Sequence, residues 1–209
     1  MARPPRVIKV LVVGNSTVDK GLLLSKFENS ERRDYSFVST IGLSCCLTII
    51  PLVLSIPFRV RDVNVDGQTV RLQLWDAGWT EAWAAVDASS HDARAASALL
   101  LVYDVTREDT YESVRMWLQR VKSAGRCTDR VVMMVLGDNC HFQRDDRQVT
   151  WERGKELGRE GRVAFLEVSS VTAANLETAL KSVARAVLAK ESAAAHQSSS
   201  NDRSTCSLQ

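Results

Sequence analysis

The sequence predicts an α/β fold: a six-stranded, mostly parallel sheet with one antiparallel edge strand and helices on both faces. Three observations carry that expectation. Short apolar runs alternate with segments whose apolar residues recur at helical spacing, the pattern of strands joined by crossover helices. Two strand-like runs flank Asp66-Gly67, a two-residue hairpin signal that makes one pair antiparallel. The first run ends in Gly14, and a polar turn then leads straight into a leucine-rich segment.

Each element follows in order. "VIKVLVVG", Val7 to Gly14, reads as a buried strand, and "KGLLLSKFEN" places its leucines on the inner face of a short helix. "FRVRDVNV" and "VRLQLWD" are the hairpin partners; Val70, Leu72 and Leu74 alternate with Arg71 and Gln73, the period of a half-buried strand. "ALLLVYDV" is a strand. Thr106 with Asp109 makes a capping-box pattern ahead of Val114, Trp117, Leu118 and Val121 at helical spacing. "RVVMMVLG" is a strand, "TWERGKELGRE" a short helix, and "RVAFLEVSS" the last strand. Leu176, Leu180, Val183 and Val187 line the final helix. From Glu191 the composition turns to Ser, Ala and Gln, which predicts a disordered tail over 191–209. The expected organisation is an extension at 1–6, one domain at 7–190 and that tail.

Composition narrows the function classes. The chain has 209 residues, 45% of them apolar and 25% charged, an ordinary globular balance. A net charge of +2, with Lys and Arg scattered, gives no electrostatic case for nucleic acid. "MARPPRVIKV" lacks the apolar core of a secretory signal. Five cysteines without a Cys-x-x-Cys spacing argue against a disulfide scaffold or structural zinc and for a reducing compartment. Three histidines far apart form no metal pair.

In sheets of this kind ligands bind at the carboxyl ends of the strands, here "GNSTVDKG", "WDAGWT", "YDVT", "GDNCHF" and "VSSVT". The first has the frame of a phosphate-cradling loop. On its own it reads equally as a strand–turn–helix corner with no ligand. A nucleophile elbow at Ser16 is the rival from another class, but the second glycine is absent and no convincing acid–histidine order follows.

Together these segments resemble the Ras superfamily of small GTPases, the Rab branch most closely. The resemblance spans roughly Val7 to Lys190 through "VSTIG", "VRLQLWD", "LLLVYDVT", "YESVRMWLQ" and "FLEVSSVTAANLETAL", in the family's order. It implies the P-loop small-GTPase fold, GTP or GDP with Mg2+ as ligands, and regulatory and effector proteins acting through two switch loops. It also implies a monomer, no nucleic-acid partner, and a role in vesicle-mediated transport.

Residue by residue, the resemblance is incomplete. The family's loop reads Gly-x-x-x-x-Gly-Lys-Ser/Thr; here it is Gly14, Asn15, Ser16, Thr17, Val18, Asp19, Lys20, Gly21. Gly14 and Lys20 are retained, but Asp19 puts a carboxylate beside the expected phosphate. An inward-pointing Asp19 about 4 Å from that charge would be repelled by about 4 kcal/mol. Gly21 has no hydroxyl for Mg2+. Thr40 matches the switch-I threonine and Asp76 the switch-II carboxylate, both metal-directed in relatives. The glutamine that orients water falls on Thr80 or, with a one-residue gap, on Trp79, so hydrolysis is expected to be poor. The guanine motif Asn-Lys-x-Asp falls on Asp138, Asn139, Cys140 and His141. The lost carboxylate would accept two hydrogen bonds of about 1.5–3 kcal/mol each from guanine, so a fall of roughly a hundredfold or more is expected. Ser169 and Ser170 match the last motif, and Val171 replaces its Lys.

Two further features depart from the domain. The apolar segment 43–57, "LSCCLTIIPLVLSIP", separates the "TIG" glycine from Phe58, which follow almost directly in Rab relatives. A membrane span there would split the sheet across a bilayer, and Pro51 and Pro57 break helices. The segment is expected to be an apolar partner-binding flap or, as favoured here, a translated intron end, since its residues have pyrimidine-rich codons. "CSLQ" at 206–209 fits a prenylation box. A farnesyl group on Cys206 with little basic support would give reversible attachment to the cytosolic face of a membrane.

Overall fold

The computed structural model describes residues 5–27, 58–87, 96–123, 131–142 and 144–204. The expected flap or intron segment at 43–57, Thr40 and Cys206 lie outside these residues. The elements are β1 (Arg6–Gly14), α1 (Lys20–Phe27), β2 (Phe58–Val65), β3 (Gln68–Ala77), α2 (Trp79–Asp87) and β4 (Ala98–Asp104). There follow α3 (Glu108–Ser123), β5 (Val132–Asp138), a 3-10 turn (Arg144–Asp146), α4 (Trp151–Gly161), β6 (Ala164–Glu167) and α5 (Leu176–Ser204). The six strands form one sheet in the order β2-β3-β1-β4-β5-β6. Only β2 runs antiparallel to its neighbour, β3.

The central strands are apolar almost throughout because both of their faces are covered. On β1, Ile8, Val10 and Val12 point into a core closed by α1 and α5, where Leu23, Phe27, Leu180 and Val183 are buried. Leu11 and Val13 face the opposite core, closed by α2, α3 and α4 with Tyr103, Val114, Trp117 and Leu157. The hairpin signal forms as expected: Asp66 and Gly67 both have positive φ, 51° and 83°, and Val65 pairs with Gln68 across the turn. Such a turn matches the right-handed twist of its strands. β1 and β4 approach so closely at Gly14 that a Cβ there would lie 2.6 Å from the Val102 carbonyl oxygen. Packing alone therefore demands that glycine.

Three expectations are corrected. The capping box at Thr106 and Asp109 does not form. Thr106 Oγ1 instead donates to Asp104 Oδ1 at 2.7 Å, a charged acceptor at the end of β4, and Asp109 pairs with Arg107. The last strand is shorter than "RVAFLEVSS", because Arg162 (φ 54°) closes α4 by donating its amide to Arg159 and Gly158 carbonyls, and Ser169 and Ser170 lie in the following loop. Finally, the backbone stays helical past Glu191 to Ser204 where a disordered tail was expected. Ala193 to Ala195 are strong helix formers, and an Arg6–Glu191 ion pair at 2.7 Å ties the helix to β1.

Candidate functional site

The ends of β1 and β3 and the start of α1 enclose an open cleft of about 480 Å3 lined by Ser16, Thr17, Val18, Asp19, Lys20, Gly21 and Asp76. Sequence reasoning singled out all seven. Lys20 Nζ is held 3.0 Å from Asp76 Oδ1, 3.3 Å from the Ala77 carbonyl oxygen and 3.4 Å from that of Gly14. Asn15 Nδ2 donates to Ser113 Oγ on α3 at 3.3 Å, while Ser16 and Thr17 are exposed at the rim.

Asp19 does not point at the cleft as an unsatisfied charge. Its Oδ1 accepts from the Leu22 amide at 2.8 Å, and its carbonyl accepts from Leu23 at 3.2 Å, which makes it the N-cap of α1. The Val18 and Lys20 amides donate to Asn15 and Val18 carbonyls, at 3.1 and 2.8 Å. The Val18, Lys20, Leu22 and Leu23 amides at this corner thus have acceptors within the chain. Gly21 is exposed, and a Cβ there would meet only Asp19 Oδ1, at 3.5 Å, so a serine fits.

The same device recurs at α2. Glu81 Oε2 accepts from the Gly78 amide at 3.0 Å, half of a capping box. Thr80 is exposed in the first turn of α2. Trp79 packs against Trp117 of α3 with ring centroids 6.0 Å apart, so it anchors α2. Sequence reasoning missed the Glu81 contact, although Glu three residues after a glycine ahead of a helix is its signal.

A second cluster lies at the tips of β5 and β6. Asp138 is buried, and its Oδ1 accepts from the Ser170 amide at 2.8 Å and the Asn139 amide at 2.7 Å. Burial pushes its carboxyl above the usual carboxylate range and the Asp104 charge adds to this, against the pull of those amides. Asn139, with φ 66°, donates its side-chain amide to Asp104 Oδ2 at 3.0 Å, linking the tips of β4 and β5. His141 Nδ1 lies 2.9 Å from Ser169 Oγ, which also accepts from the Thr172 amide at 3.0 Å. The structure therefore brings Asn139, His141, Ser169 and Ser170 together. Asp104 was not anticipated as their tether.

The comparisons with known proteins settle the family. A model described as "Ras family" matches residues 9–189. The chain belongs to the Ras family. Its similarity to the Ras-related protein Rab-8B of Homo sapiens is 30% identity over 184 residues, 88% of this chain and 80% of that protein. RABA5b of Arabidopsis thaliana is 34% identical over 87% of this chain and 75% of its own length. The GTP-binding protein YPT1 of Saccharomyces cerevisiae is 32% identical, covering 87% and 79%. These relatives place the Ras-family chain in the Rab branch, and the six-stranded sheet with one antiparallel strand is the small-GTPase fold.

Members of the family bind GTP or GDP with Mg2+. Tested against those groups, the described residues match at the phosphate end, where Lys20 offers an ammonium in an open cleft. At the metal end Asp76 offers a carboxylate while Gly21 offers no side-chain oxygen, and at the tips of β5 and β6 His141 stands against Ser169. Among the described residues no helix is long and apolar enough to cross a membrane.

Proposed function

We propose that this Rab-branch protein acts in vesicle-mediated transport with both nucleotide affinity and GTP hydrolysis reduced. The observation that carries this reading is Asp19, whose carboxylate caps α1 at 2.8 Å where the loop's helix start would face phosphate. The missing Gly21 hydroxyl, the His141 substitution and the absence of a glutamine at Trp79 or Thr80 support it. When bound, GTP with Mg2+ would order the switch loops, the family's signal to effectors and regulators. Here Lys20 and Asp76 would hold the phosphate end and the metal, with Thr40 of switch I. The protein is proposed to be a cytosolic monomer, reversibly membrane-attached through a prenyl group on Cys206, with 43–57 a retained intron end.

A second reading, a pseudo-GTPase scaffold that binds partners without nucleotide switching, is favoured by one observation. Asp19 and Glu81 accept from amides at the starts of α1 and α2, and Lys20 pairs with Asp76, so these charged groups have partners within the chain.

Equilibrium binding of fluorescent GDP, GTP and ATP, with and without Mg2+, tests both. Wild type is expected to bind GDP at least about a hundredfold more weakly than the triple variant Asp19→Gly, Gly21→Ser, His141→Asp. Tight, Mg2+-dependent GTP binding by wild type sinks the reduced-affinity reading. Guanine nucleotide binding that Mg2+ strengthens, even weakly, sinks the scaffold.

A further inference from the structure

The cluster at the tips of β5 and β6, outside the lining of the phosphate cleft, carries an inference about which nucleotide the chain prefers, and it rests on the proposed reading of cleft and cluster as the two ends of one nucleotide site. Ser169 is fully buried. Its Oγ accepts from the Thr172 amide at 3.0 Å, and its own hydroxyl proton needs an acceptor, since a buried unmade bond is costly. Among the described residues, His141 Nδ1 at 2.9 Å is the acceptor within reach. A neutral ring whose Nδ1 accepts must carry its proton on Nε2. His141 is exposed, so that N–H is available to a ligand.

We propose that Ser169 fixes His141 in this tautomer and thereby inverts the recognition of the base. Relatives present a carboxylate, two acceptors for the donors on guanine's pairing edge. This chain presents a donor at the same position, which meets guanine's donors head on and complements an acceptor such as adenine N1. The ligand class is an adenine nucleotide, with Ser169 as the positioning residue and His141 as the contact. The Phe142 ring lies beside the imidazole, with centroids 4.5 Å apart.

Two measurements test this on the full chain. Long-range 15N–1H NMR of the ligand-free protein at pH 8 is expected to show His141 protonated on Nε2, with Ser169→Ala releasing that bias. A ring protonated on Nδ1 overturns the proposal without reference to any nucleotide. Titration with fluorescent ADP and GDP is expected to give wild type an affinity for ADP equal to or above that for GDP. His141→Asp should swing the ratio toward GDP by roughly a hundredfold, the scale of two charge-assisted bonds. A wild-type preference for GDP overturns the proposal, as does binding of neither nucleotide at millimolar concentration. The last result would leave reduced affinity standing. Tight ADP binding would do the reverse, upholding the inverted preference and ending the reduced-affinity reading.

Discussion

At the start of α1, Asp19 Oδ1 meets the Leu22 amide at an exposed position, so this bond can be removed without disturbing the core. Asp19→Ala is expected to cost about 1 kcal/mol in urea unfolding of the nucleotide-free protein, the usual size of a lost N-cap, while Asp19→Asn keeps most of it. Equal stability of all three proteins would mean that the cap does not form in solution. Asp138 offers a second test at the same scale. Its folded-state carboxyl is raised by burial, so its favourable contribution is complete below the unfolded value near about 4 and is lost as pH rises through the raised value. Asn in its place still offers an oxygen to the Ser170 and Asn139 amides. Asp138→Asn should therefore gain on wild type between pH 4 and pH 7, read from urea midpoints at each pH. A difference that does not change with pH would remove burial of the charge as its cause.

Elements were legible where the sequence states a period or a turn, and less so where two acceptors or two tendencies compete. The β2–β3 hairpin was readable because Asp66-Gly67 specifies a backbone few other pairs adopt, and Gly67 sits at φ 83° with open space around it. Gly67→Ala should therefore lose about 1 kcal/mol through backbone strain alone, without a clash; thermal melting beside Gln68→Ala as an exposed control checks it. No loss would show that the turn relaxes to another type. The cap of α3 was misread because Thr106 had a stronger acceptor in Asp104, which sequence spacing does not rank. The end of α5 was misread because polar composition argued against burial, whereas a helix anchored by Leu180 and Val183 needs only propensity to continue through Ala193 to Ala195.

For the whole molecule, alternating apolar runs and helices made a mostly parallel sheet legible, while the order β2-β3-β1-β4-β5-β6 is what the structure adds. That order puts Ser16 to Gly21 beside Asp76, and His141 beside Ser169. What spacing could not convey was direction: which way the Asp19 carboxylate turns, that Lys20 falls on Asp76, and which imidazole nitrogen faces Ser169. Those directions decide whether folding and ligand binding are coupled, and that coupling is measurable. A ligand that binds only the folded chain stabilises it by about 4 kcal/mol at a thousand times its Kd, and by about 1.4 kcal/mol if the Kd is a hundredfold weaker. For a domain of this size each kcal/mol moves Tm by about 2–4 °C. At one fixed concentration of GDP with Mg2+, set to about a thousand times the Kd of the triple variant Asp19→Gly, Gly21→Ser, His141→Asp, that variant should rise by about 5–10 °C more than wild type. Without ligand the two should melt within a few degrees of each other, because glycine replaces an Asp N-cap at little cost and Gly21→Ser recovers helix propensity in α1. If wild type gains as much from GDP as the variant, the internal carboxylates do not compete with nucleotide.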